Sequence, residues 1–167
     1  MAYTPVMQDH QPEEVQTQCY RRILVATGGA PHSEKAVERA IDLARQFGAV
    51  LDVLVVVPTQ RSAMASLAAS IPGSGALEEQ IVQTLYDVRA AHLRAVMARA
   101  EAAGLDVRPH LLSAARPADV ILKMAAETSA DLIVLGRRHT TALSANLAGS
   151  VGLSVSRAAL VDVLITH

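Results

Sequence analysis

The segment from residue 136 to residue 151 concentrates side chains that could bind an anion. It opens with Gly136, Arg137, Arg138 and His139 and closes with Gly149, Ser150 and Val151. Guanidinium groups match phosphate oxygens in shape and charge, and glycine and serine before a helical pattern supply free N–H groups and a hydroxyl. The segment therefore indicates a phosphate site. Two simpler interpretations stay open: Ser150 only caps its helix, and the arginines are solvated or pair with surface carboxylates.

Other reactive side chains form no recognisable catalytic or metal-binding pattern. Cys19 is the single cysteine, which excludes an intramolecular disulfide and a cysteine zinc site. The sequence contains no His-x3-His, Cys-x2-Cys or Glu-x2-His spacing and no Gly-x-Ser-x-Gly elbow. His92 continues an apolar helical stripe, which is typical of a partly buried packing residue. We predict neither catalytic residues nor a metal site.

Composition excludes several other classes of function. The chain has 167 residues, 51% of them hydrophobic, and a formal net charge of -1. This balance favours one folded domain and gives no overall attraction to nucleic acid or anionic lipid. Three Tyr, one Phe and no Trp are too few rings for a base-stacking surface.

The elements that position the anion site alternate along the chain from residue 22 onward. Short β-branched runs at residues 23–27, 51–57, 107–112, 132–135 and 163–166 predict strands, and their continuous apolar character is typical of strands covered on both faces. Helical spacing of apolar residues predicts four intervening helices. The first ends at Gly48, the second stops near Gly104, and Pro117 opens the third.

This alternation predicts an α/β fold: a single-domain, doubly wound, Rossmann-like parallel sheet with strand order 3-2-1-4-5. Ligands bind such sheets where the winding direction reverses, so residues 28–32 and 136–149 are expected to be neighbours. Residues 21–167 form the predicted domain, and residues 1–20 a flexible lead-in. We expect neither a signal peptide nor a membrane span, and a cytoplasmic location. The long stretch from Thr59 to Gly75 is interpreted as a flap or partner surface.

Six segments of the chain resemble the universal stress protein family. They are residues 22–29, 32–36, 116–118, 130–136, 149–151 and 163–166. The resemblance covers nearly everything from residue 22 onward. It implies a compact α/β domain and, in one branch of the family, ATP binding through a Gly-x2-Gly-x9-Gly-Ser/Thr loop.

The spacing of that loop is kept here, but two positions differ from the family pattern. His139 stands in place of the second glycine, and Gly28 in place of an aspartate after the first strand. An imidazole at residue 139 would crowd a backbone that approaches a phosphate. Gly28 has no carboxylate that could accept hydrogen bonds from the ribose hydroxyls. The resemblance still implies ATP or AMP as a possible ligand. Its contacts would include Val25, Ala26, Thr27, Gly28 and Val56 beside the residues of the loop.

The predicted function is a non-catalytic, dimeric stress-response module. The resemblance implies a homodimer that pairs through the edge strand from Val163 to Thr166. Two alternatives stay open: a ligand-free adaptor that binds proteins, and a phosphate-transfer enzyme, which the doubly wound fold also accommodates.

Overall fold

The structure, a computed structural model, describes residues 19–59, 75–137 and 151–167. These residues form five strands: β1 (Arg22–Thr27), β2 (Val50–Pro58), β3 (Val107–Ala114), β4 (Leu132–Gly136) and β5 (Asp162–Thr166). Four helices lie between them: α1 (Pro31–Phe47), α2 (Gly75–Ala102), α3 (Pro117–Thr128) and α4 (Val151–Ala158). Each predicted strand is present and differs from its predicted bounds by at most two residues.

The strands form one parallel sheet in the order β3-β2-β1-β4-β5. Both the fold class and the strand order are therefore confirmed. β1 has β2 on one side and β4 on the other, with Ala26 level with Leu54 and with Leu135. The winding direction reverses between β1 and β4, which is where ligands of doubly wound sheets bind.

Two apolar layers hold the helices on the sheet. On one face, α1 and α2 cover alternate residues of the central strands, such as Val25 and Val53. On the other face, α3 and α4 cover the residues between them, such as Leu24 and Leu54. Because both faces are covered, the central strands are apolar at nearly every position.

Local sequence signals place the helix ends. Gly48 closes α1 in the left-handed conformation at φ 64°, where its N–H bonds to the carbonyl of Ala44. Pro117 is the first residue of α3, where its missing N–H costs no helical hydrogen bond. Ser33 lies inside the first turn of α1 and does not cap it. The helix begins two residues earlier at Pro31, and the Ser33 hydroxyl donates instead to the carbonyl of Ala30 at 2.7 Å.

Candidate functional site

The carboxyl ends of β1 and β4 form the floor of the candidate site. The last paired residues of the two strands are Ala26 and Leu135. Beyond them, the turn that follows β1 and the segment that begins at Gly136 leave the sheet from neighbouring strands. The structure thus brings together the start of both loops that the sequence predicted as neighbours.

Two side chains from α2 reach the turn after β1, although they lie more than 60 residues further along the chain. A Cβ placed on Gly28 would lie 2.8 Å from Arg89 Nη1, so the guanidinium fills the space in which any side chain at Gly28 would begin. One helical turn further on, the His92 ring lies 3.2 Å from the position of a Cβ on Gly29. Gly29 also has a φ of 75°, which disfavours a side chain there on conformational grounds.

Hydroxyl groups connect His92 to the start of α1. The Thr27 hydroxyl is 2.9 Å from His92 Nε2 and donates to the Ser33 hydroxyl at 3.1 Å, which in turn donates to the carbonyl of Ala30. A hydroxyl has a single proton to donate. Thr27 therefore accepts from His92, which requires the proton of the neutral imidazole to be on Nε2. This chain of donors fixes the shape of the Gly28–Gly29 turn.

The surroundings of His92 favour its neutral form. Burial is the largest influence and lowers the pKa of the imidazole, the carboxylate of Glu34 raises it, and the positive charges of Arg89 and Arg99 lower it further. The Glu34 carboxylate is 3.7 Å from Nδ1, but its other oxygen accepts from Arg99 at 2.7 Å. Because burial and the two arginines outweigh Glu34 and lower its pKa, His92 is a hydrogen-bond donor to Thr27 rather than a cation at neutral pH.

The predicted binding residues occupy several different positions. Thr27 is buried under the turn and Gly28 lies in it. Gly136 ends β4, and Arg137 is exposed beyond it, with Nη1 3.3 Å from His167 Nδ1. Arg137 therefore extends toward the end of β5.

The residues predicted to line a base pocket lie on opposite faces of the sheet. Val25 is completely buried beneath α1 and α2, whereas Ala26 and Val56 pack on the layer under α3 and α4. The structure does not bring them together on one face. Val151 is the first residue of α4 and is 38% exposed. Arg138, His139, Gly149 and Ser150 lie outside the described residues, as do most of the lead-in and residues 60–74 of the predicted flap.

The sequence interpretation missed that Arg89 and His92 contact the turn after β1. His92 is partly buried, as expected of a packing residue, but its ring contacts the glycine turn instead of continuing the apolar layer. The available signal was the spacing of three residues, which puts Arg89 and His92 on one side of a helix. That spacing alone does not say which loop the two side chains meet.

Comparison with known proteins identifies the family of this chain. The model of the universal stress protein family matches residues 19–167. The chain belongs to this family. Universal stress protein Rv1636 of Mycobacterium tuberculosis strain H37Rv is 30% identical to it over 151 residues, which are 89% of this chain and 97% of that protein.

Solved universal stress proteins share its architecture. One from Burkholderia pseudomallei superposes with a TM-score of 0.69 at 25% identity, over 89% of this chain and 96% of its own. Another, solved in complex with cAMP, superposes with a TM-score of 0.65 at 29% identity, over 90% of this chain and 98% of its own. The resemblance noted from six short segments is thus confirmed over most of the sequence.

Two further findings apply to the described parts of this universal stress protein. None of the helices there is both long and apolar enough to cross a membrane. Among residues 19–59, 75–137 and 151–167, no three His, Cys, Asp or Glu side chains are grouped as metal ligands would be.

Proposed function

We propose that this universal stress protein is a non-catalytic module that binds an adenine nucleotide at the carboxyl ends of β1 and β4. The observation that carries the proposal is the glycine turn after β1, placed at the reversal of winding, with one arginine from α2 over it and another directly after β4. Arg89 lies over Gly28, and Arg137 follows β4. Guanidinium groups at this edge provide donors for a phosphate.

The comparison with the cAMP complex supports the choice of ligand. That protein shares 29% identity and nearly its whole length with this chain. Among adenine nucleotides, ATP, AMP and cAMP are the candidates, and the loop from Gly136 to Val151 would provide the remaining phosphate contacts.

A thermal-shift measurement with ATP, AMP and cAMP tests this proposal. A ligand that binds only the folded state raises its apparent stability by about 2.7 kcal/mol at a hundred times the dissociation constant. We expect at least one adenine nucleotide to raise the melting temperature, while the matching guanine nucleotide at equal concentration has less effect. If none of the three does so at millimolar concentration, the proposal is wrong and the adaptor alternative is favoured.

The proposal includes a homodimer formed through β5. This strand is at the edge of the sheet, and the residues from Val163 to Thr166 are all partly exposed. Edge strands present unpaired backbone groups that a second strand can cover. Light scattering at micromolar concentration should give twice the monomer mass of 17.6 kDa, and a monomer mass would refute the dimer.

A cytoplasmic location belongs to the same proposal. Its support is Cys19, the single cysteine of the sequence, which is exposed. A protein without an intramolecular disulfide suits a reducing compartment. Fractionation of cells that carry the full chain would test this, with recovery outside the cytoplasm as the contrary result.

A further inference from the structure

An acidic side chain that the proposed nucleotide site does not use lies inside the sheet. Asp52, on β2, is completely buried, and its neighbours on the same face, Leu24 and Leu54, are apolar and also completely buried. A carboxylate among apolar side chains is costly unless a hydrogen-bond donor pairs with it. Its donor is His110 on β3, with Nε2 2.7 Å from Oδ1, while Oδ2 is buried and has no hydrogen-bond partner within the described residues.

This hydrogen bond fixes the tautomer of His110. A carboxylate has no proton to donate, so Nε2 carries the proton, and the lone pair of the neutral ring is on Nδ1. The His110 side chain is 24% exposed. Within residues 19–59, 75–137 and 151–167, Nδ1 has no hydrogen-bond partner and is not enclosed by other atoms. The imidazole therefore presents an electron pair to solvent.

The buried carboxylate makes this imidazole a better nucleophile. It holds the ring in one tautomer and orientation, and it stabilises the positive charge that appears on the ring when the other nitrogen forms a bond. Because Asp52 is completely buried, water screens its charge little. The ring of His110 is thus prepared to attack an electrophile that reaches it from solvent.

An arginine beside His110 favours a phosphoryl group as that electrophile. Arg108 is two residues earlier on β3, which puts it on the same face of the strand. Its guanidinium is 45% exposed, and Nη2 lies 3.8 Å from an oxygen of Asp106, which is itself 64% exposed. Exposed pairs of this kind are weak, so the guanidinium can turn to donate to phosphoryl oxygens.

We infer that Asp52 and His110 form a modification site at which Nδ1 of His110 accepts a phosphoryl group from a donor of the phosphoramidate class. The Nδ1 electron pair forms the new N–P bond, the P–N bond of the donor breaks, and ammonia leaves with the electrons of that bond. The product ring carries one positive charge, and its proton stays on Nε2, shared with Asp52. Asp52 is a positioning residue in this step.

Phosphorylation of the full chain by potassium phosphoramidate tests this inference. At about pH 8 an ordinary imidazole is neutral, and peptide mapping by mass spectrometry gives a rate for each histidine. N-Acetylhistidine amide in the same solution is the reference for an imidazole without a carboxylate. We expect His110 to react about tenfold faster than this reference, since the charged acceptor stabilises the cationic ring. A rate no higher than the reference would overturn the inference.

Asp52→Asn separates the charge of the carboxylate from its shape. The amide keeps the size of the side chain and an oxygen that accepts from Nε2. Phosphorylation of His110 should nevertheless slow by about tenfold, because a charge-assisted hydrogen bond is about twice as strong as a neutral one. An unchanged rate at His110 in Asp52→Asn would also overturn the inference, because the carboxylate would then have no part in the reaction.

His92→Gln is the matched control. His92 is also a partly buried histidine, but its Nε2 proton goes to the Thr27 hydroxyl rather than to a carboxylate. Its loss should leave the rate at His110 unchanged, and an equal slowing by His92→Gln and Asp52→Asn would contradict a specific role for Asp52. If circular dichroism shows that Asp52→Asn does not fold, the comparison with the reference in the unaltered protein still decides.

The outcome is independent of the proposed function. Neither Asp52 nor His110 belongs to the proposed nucleotide site at the carboxyl ends of β1 and β4. A protein that binds no nucleotide can still be phosphorylated at His110, and failure of the phosphorylation leaves the nucleotide proposal as it stands.

Discussion

The two ends of the parallel sheet use polar residues in opposite ways. At the amino end, side chains bond to backbone groups 106 to 110 residues away in the sequence: Asp131 accepts from the N–H groups of Arg21 and Arg22 at 2.8 and 3.2 Å, and the Arg22 guanidinium donates to the carbonyl of Thr128 at 2.7 Å. At the carboxyl end, Arg89 and His92 come from a helix that is distant in sequence and lie against two glycines. At the amino end the polar side chains bond to backbone groups, whereas at the carboxyl end two side chains of one helix lie against the glycine turn.

With the proposed nucleotide site at the carboxyl ends of β1 and β4, we expect stability and binding to depend on opposite ends of the sheet. Carboxylates that accept backbone N–H groups stabilise the folded chain whether or not a ligand is present. A guanidinium held over a glycine turn can donate to an anion. Substitutions at the amino end should therefore change stability without changing nucleotide binding.

The largest expected effect is a loss of stability on substitution at the amino end of the sheet. Asp131→Ala leaves two N–H groups without their charged acceptor and should lower the free energy of unfolding by about 2 to 3 kcal/mol, measured by urea denaturation. Asp106→Ala is the control, because Asp106 is 64% exposed and 3.8 Å from Arg108, so its loss should cost less than about 1 kcal/mol. Neither change should alter the affinity for nucleotide, and a weaker affinity in Asp131→Ala would contradict the separation of the two ends.

An intermediate effect should distinguish two glycines that share a backbone conformation. Gly29 and Gly48 both have positive φ, 75° and 64°, so alanine at either position should cost about 1 to 2 kcal/mol of stability. Only Gly29 has a neighbour, His92, within 4 Å of the added carbon. We expect Gly29→Ala to weaken nucleotide binding several-fold and Gly48→Ala to leave it unchanged, as calorimetry would show. Equal binding by both variants would remove Gly29 from the site.

The smallest expected effect is a dependence of stability on pH through His92. Burial holds the pKa of this imidazole below its ordinary value of 6.5, so the unfolded chain binds the proton more readily than the folded one. The stability that His92 contributes is therefore complete above about pH 6.5 and is lost as the pH falls toward the lower folded-state pKa.

Urea denaturation between pH 5 and pH 8 measures this effect. His92→Gln keeps a donor for Thr27 but does not titrate, so it should flatten the profile below pH 6.5. A profile that is unchanged in His92→Gln would assign the pH dependence to other groups.

Much of the fold follows from local patterns. The continuous apolar run of β4 requires cover on both faces, and the alternation of strands and helices then leaves few topologies that satisfy right-handed crossovers. Gly48 and Pro117 set helix ends by their own backbone preferences.

The sequence by itself determined which segments become strands and helices, because periodicity and the special backbones of glycine and proline act over a few residues. It also determined the family, since six short segments retain the family pattern. Only the tertiary structure decided what stands over Gly28 and Gly29. Arg89 and His92 meet that turn because α2 packs against the sheet beside α1, and a contact between residues 60 positions apart depends on how whole layers pack, which no local pattern specifies.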